Sequence, residues 1–239
     1  MTNQIYSQAQ TVIDEGLRSY MLKVYNFMAG GLCATGLIAW LVATTPSLLQ
    51  IFFNISPAGA SLSGFGWLAL IAPLVMVFAF NWVVNSGTAK QVQLLFWSYA
   101  AVMGISLTPI FLLYTGSSIA RVFLITAGAF GALSLYGYTT KRDLSGMGSF
   151  LYMGLFGLII ATIVNIFLKS SGLDWALSFI GVGIFSGLTA YDSQKIRMFY
   201  NAVDDHEIIT KKALSGALSL YLDFINLFLY LLRFMGDRR

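Results

Sequence analysis

Between Lys23 and Lys90 the chain carries no residue that is charged at neutral pH, and only Thr, Pro, Ser, Gly, Asn and the single Gln50 interrupt its apolar side chains. That stretch is long enough for two membrane crossings, because about 20 apolar residues span roughly 30 Å of hydrocarbon. Apolar runs of similar length continue to the end of the chain. Seven are expected, at roughly 22–45, 66–86, 93–115, 119–139, 149–168, 174–191 and 213–235. Of the 239 residues 57% are hydrophobic and 10% charged, more apolar surface than a soluble domain of this length can bury. The expected fold class is an all-α integral membrane protein, a seven-transmembrane-helix bundle forming a single domain over residues 1–239.

The net charge of +4 is not a nucleic-acid signature, because the basic residues sit beside apolar segments, as orientation signals do. Nine of the fourteen, namely Arg18, Lys23, Lys90, Lys141, Arg142, Lys195, Arg197, Lys211 and Lys212, fall on one set of alternate connections. The other set holds Arg121 and Lys169. Lys and Arg are retained in the cytosol, which predicts a cytosolic N-terminal tail over residues 1–21. That tail is polar from Met1 to Tyr20 and lacks the basic start and short apolar core of a cleaved targeting peptide. Arg233, Arg238 and Arg239 break the charge pattern, so the seventh segment either crosses against the rule or is re-entrant. The single cysteine, Cys33, excludes an intrachain disulfide and a cysteine metal cluster.

Small residues at helical spacing predict close helix packing, with Gly128, Gly131, Ser134 and Gly137 on the fourth segment and Gly183 and Gly187 on the sixth. Pro73 and Pro109 predict kinks. Trp40, Trp97 and Tyr191 read as interfacial anchors, and His206, in an acidic loop, as a solvated residue.

Eight of the ten acidic residues fall in loops, tails or segment ends. Asp192 and Asp223 do not. A charged carboxylate inside a bilayer costs at least roughly 2.5–3.5 kcal/mol, so such a group is neutral, paired or in contact with water. Asp223 belongs to a stripe in which Ser215, Ser219, Asp223, Asn226, Tyr230 and Arg233 recur every three or four residues, along one side of a helix. A polar stripe in a membrane turns into the bundle or a wet cavity, which predicts that the last helix is central. Asp192 closes the sixth segment, where it could instead form an interfacial ion pair with Lys195. Whether the two acids meet depends on their depth. If they do, two like charges in a weakly solvated site cannot both ionise easily, and the pair shares a proton. No nucleophile elbow, phosphate loop or metal cluster occurs, and Asp192 and Asp223 lack the Gly-x-Gly-Asp motif of intramembrane aspartyl proteases, so no enzyme is expected.

In its sixth segment, Ala190-Tyr191-Asp192-Ser193-Gln194-Lys195-Ile196, and in its seventh, from Ala217-Leu218-Ser219-Leu220-Tyr221-Leu222-Asp223 to Leu231-Leu232-Arg233, the chain resembles the Bax inhibitor-1 family, in particular its bacterial branch. The resemblance extends over nearly the whole chain and implies seven helices with the last surrounded by the other six, in a bacterial inner membrane. It implies that Asp192 and Asp223 are the pH-sensing pair of a calcium leak. Some members tie this pair down with an arginine on the second helix; here Asn81, Trp82 and Asn85 bring no basic residue. No cofactor is expected. Calcium is expected as a permeant ion, met weakly and transiently by Asp192 and Asp223, with Ser219, Asn226 and Tyr230 along its path. The implied alternative is a regulator that binds partners in the membrane, such as an FtsH-type protease, through the N-terminal tail. The partners expected are therefore lipid, calcium, protons and such a protease, and no nucleic acid.

Overall fold

A computed structural model describes residues 2–56 and 59–239, with side chains from 15 to 54 and from 61 to 239. The side chains of the tail up to residue 14, the expected handle for a partner, lie outside the described residues. Eight α-helices and one hairpin follow in the order α1 (Thr2–Thr44), α2 (Pro46–Phe52), β1 (Phe53–Ser56), β2 (Gly59–Leu62), α3 (Gly64–Ser86), α4 (Ala89–Leu113), α5 (Gly116–Thr139), α6 (Ser145–Leu168), α7 (Ser171–Met198) and α8 (His206–Met235). All but α2 are long and apolar enough to cross a membrane, which makes the chain an all-α protein with seven candidate spans. Two compact units divide it, one of residues 1–113 and 200–218, the other of 114–199 and 219–239.

In the first unit α1 packs on α4, and α4 on α3. The contacts are close because small residues leave room. A Cβ on Gly104 would lie 2.7 Å from the Thr35 carbonyl oxygen, and the Thr35 hydroxyl donates to the Ala100 carbonyl at 2.8 Å. The uncharged connection expected from Pro46 to Gly64 is structured. Pro46, with its preset φ, opens α2, and the antiparallel hairpin pairs Phe53 with Leu62 and Asn54 with Ser61. Ser63 then caps α3, accepting from the Gly66 amide at 3.1 Å and donating to the Ile51 carbonyl at 2.6 Å.

In the second unit α7 packs between α5 and α6. Gly137 of α5 lies against the α7 backbone, where a Cβ would come within 2.1 Å of the Ala190 carbonyl oxygen, and the hydroxyls of Ser134 and Ser193 meet at 2.8 Å. On the other side Gly187 admits Leu151, and Gly148 admits the Tyr191 ring. Tyr191, expected as an interfacial anchor, packs its ring against α6, where the glycine opposite leaves space for it.

The last helix is the most buried of the spans. In its most apolar stretch 61% of residues are buried, against 11–44% in the other six, as an inner helix requires. Its thirty residues form one unbroken helix, long and apolar enough to cross a membrane. From Ser219 onward it runs antiparallel to α7, bringing Tyr230 onto Phe185 and Arg233 onto Asp174 at 3.4 Å, and the chain end is fastened beside the start of α5. There the Thr115 amide donates to the Asp237 carbonyl at 3.1 Å, and Arg121 pairs with the Asp237 carboxylate at 2.9 Å. Of the three arginines that break the charge pattern, Arg233 meets an aspartate and Arg238 lies over the Tyr114 ring, 5.9 Å from its centroid.

Candidate functional site

The polar stretch from Ser193 to Lys212, expected as a long connection, is mostly helix. α7 continues to Met198, and α8 begins at His206, where the Asp205 carboxylate accepts from the Ile208 amide at 2.7 Å as a cap. Basic residues suit a helix C-terminus, and Lys195 and Arg197 occupy the last turn of α7. Asp192 consequently does not close its helix. It stands six residues before the end, about 9 Å inside at 1.5 Å per residue.

The antiparallel run of α7 and α8 stacks Tyr230 on Phe185, and Asp192 and Asp223 each lie seven residues from that contact, about 10 Å along their helices, which brings the two acids to the same level. Both side chains are buried, 7% and 5% exposed. Their surroundings differ. Asp192 accepts a hydrogen bond at 3.4 Å from the hydroxyl of Tyr152 on α6, and the Lys195 ammonium lies one turn further along its own helix. Asp223 has a buried Oδ2 with no partner among the described residues.

The stripe on α8 separates by depth. Ser219, Asn226 and Tyr230 are half-buried, whereas Leu220, Tyr221 and Leu227 between them are fully buried. Asn226 turns its amide back to donate to the Leu222 carbonyl at 2.8 Å. Tyr230 stacks on Phe185 with ring centroids 5.7 Å apart and covers Gly181. Among the described residues no three His, Cys, Asp or Glu side chains gather as a metal site.

Two further residues brace the site. Gln194 is buried and uses both ends of its amide on the α5–α6 connection: Oε1 accepts from the Leu144 amide at 2.8 Å, and Nε2 donates to the Arg142 carbonyl at 2.7 Å. The Arg197 guanidinium donates to the Tyr138 carbonyl. In the same connection the Asp143 carboxyl is held below its usual value by hydrogen bonds from Ser145, so it stays charged at the start of α6. Gln194→Ala strands a buried amide and a carbonyl and is expected to cost about 2–3 kcal/mol in denaturant melts of the detergent-solubilised protein. Gln194→Glu, which can still accept from Leu144, is expected to fall between the two.

Neither Tyr152 nor Gln194 could be singled out from the sequence. A tyrosine in an apolar run is indistinguishable from a lipid-facing one, and a glutamine near a helix end reads as surface.

The chain has relatives among known proteins. The family profile described as "Inhibitor of apoptosis-promoting Bax1" matches residues 17–239. An uncharacterised protein of Rickettsia prowazekii is 49% identical over 226 residues, covering 95% of this chain and 92% of the relative. The inner membrane protein YbhL of Escherichia coli is 45% identical over 226 residues, covering 94% of each chain. An uncharacterised protein of Caulobacter vibrioides is 43% identical over 236 residues, covering 97% of this chain and 94% of the relative. With seven apolar spans, two buried aspartates on its last two helices and a family match that runs from residue 17 to its end, the chain belongs to the Bax inhibitor-1 family of membrane proteins.

Proposed function

We propose that the protein is a pH-sensitive leak for calcium, or cations more generally, in a bacterial inner membrane, with its N-terminus in the cytosol and Asp192 and Asp223 as gate. The observation that carries this reading is a pair of neighbouring buried carboxylates of which one, Asp223, has an oxygen without any partner among the described residues. Two like charges in so dry a place are costly, so the resting pair carries one proton. Adding the second removes the remaining charge and with it the hold of α7 on α8. The half-buried Ser219, Asn226 and Tyr230 supply a polar edge along which an ion can pass. Calcium requires six to eight oxygens, so two carboxylates and water bind it only weakly, as conduction needs. In this reading the protein is a conduit and catalyses no reaction. Placement in the inner membrane follows the name of the relative YbhL.

Calcium flux into vesicles reconstituted with the pure protein tests the proposal. Flux is expected to rise as pH falls in the wild type, and the variant combining Asp192→Asn with Asp223→Asn is expected to lose that response. An unchanged rate and pH profile in the double variant would sink the gate. Silence from pure wild-type protein would favour instead a regulator that acts through a membrane protease.

A further inference from the structure

The first span is longer than a membrane requires. Its described residues, Glu15–Thr44, number thirty, about 45 Å at 1.5 Å per residue against roughly 30 Å of hydrocarbon. Its charged residues are Glu15, Arg18 and Lys23, all at one end, so that end emerges and Lys23, about 12 Å from it, stands at the level of the lipid headgroups. Ser19, Leu22, Lys23, Asn26 and Phe27 recur every three or four residues and so share one side of α1. With Trp97 of α4 they line an open groove of about 520 Å³. Packing fixes the indole in that wall. A Cβ on Gly30 would come within 2.9 Å of its ring, and Phe96 meets it edge-on at 5.6 Å and 81°. Lys23 is half-buried and held in place by a neutral partner. Its ammonium donates to the Thr210 hydroxyl oxygen at 2.7 Å, while that hydroxyl gives its own hydrogen to the His206 carbonyl at 2.7 Å. The tie leaves two of the three ammonium N–H groups and all of the charge. Among the described residues no carboxylate pairs with Lys23, whereas Lys212 pairs with Asp204 at 2.5 Å.

We infer that this groove binds an anionic phospholipid, with the phosphate on the Lys23 ammonium and an acyl chain against Leu22 and Phe27. The exposed Asn26 amide and the Trp97 indole N–H bring further donors to the phosphate. Three features select this occupant. The groove is amphipathic in the way a lipid is, with a cation and amides beside apolar walls. It lies at headgroup level between two helices, where basic pockets recognise anionic lipid heads. And among the described residues no acidic side chain lines it to receive the ammonium of a zwitterionic head. The site involves neither aspartate of the gate and does not depend on ion conduction.

The test is a lipid titration of the full-length protein in a mild detergent, with bound lipid counted by native mass spectrometry. Dioctanoylphosphatidylglycerol is expected to be retained as one copy per chain at concentrations where dioctanoylphosphatidylcholine is not. Lys23→Gln is expected to weaken that binding about fivefold, the equivalent of the roughly 1 kcal/mol that one lysine contributes at an anionic membrane surface. Lys23→Arg keeps the charge and should keep the affinity. Lys90→Gln removes a cation outside the groove and should also leave it unchanged. Equal retention of the two lipids overturns the proposal, as does wild-type affinity in Lys23→Gln or an equal loss in Lys90→Gln. Should Lys23→Gln not fold, Asn26→Leu, at an exposed position, carries the decision: weaker binding supports the site and unchanged binding overturns it. Inorganic phosphate is the last arm. It is expected not to displace the lipid, and displacement would assign the groove to free phosphate instead.

Discussion

Asp223→Leu is expected to melt several degrees higher than the wild type in detergent while losing acid-activated calcium flux. Leucine has the same branching as aspartate, so it can occupy the site with its two methyl groups where the carboxylate oxygens lie. The gain follows from removing a buried oxygen that no described group satisfies, a burden of about 1–3 kcal/mol. For a chain of this length each kcal/mol shifts the midpoint by about 2–4 °C. A protein that retains an unsatisfied carboxyl in its core trades stability for something that the carboxyl does, and in the proposed function that is proton binding. A lower melting point together with an intact pH response would contradict both expectations.

Gly137→Ala is expected to destabilise the protein by about 3 kcal/mol, and in the extreme to prevent its recovery from membranes. The added Cβ would stand 2.1 Å from the Ala190 carbonyl oxygen, and both partners are backbone, so only a displacement of α5 from α7 can relieve the overlap. That displacement would also part the Ser134 and Ser193 hydroxyls, immediately beside Asp192. Two controls lie on the same helix. At Gly128 and Gly131 an added methyl group would have nothing within 4 Å, so alanine at either should be neutral or gain up to about 1 kcal/mol from its better helix propensity. Urea or thermal melts of the three variants in one detergent decide the matter. Equal effects at all three positions would show that the close approach of α5 and α7 is not what the glycine serves.

Those glycines also show what a sequence leaves undistinguished. Gly128, Gly131, Ser134 and Gly137 look alike as one small-residue stripe, yet only Ser134 and Gly137 meet α7. On the sixth span Gly187 faces Leu151, while Gly183 faces open space. The sequence records that a helix has small residues, but in lipid both the partner and the surroundings are apolar, so hydrophobic pattern alone does not say which small residue faces protein.

The class of molecule and the two acids out of place in it can be read from the chain alone. Uncharged runs of membrane-spanning length can only be buried in lipid, and carboxylates within such runs are too costly to be incidental; both conclusions depend on composition and spacing. The rest depends on how the helices pack. Packing extends α7 past Asp192, because Gln194 and Arg197 find backbone partners on the α5–α6 connection and at the end of α5, and so places the acid inside the helix. It sets Asp223 level with Asp192 by stacking Tyr230 on Phe185, seven residues from each acid along antiparallel helices. And it brings in Tyr152, forty residues from Asp192 in the chain, whose bond to that carboxylate depends on how α6 lies against α7. Depth and register are set by contacts between helices, and no single apolar segment contains them.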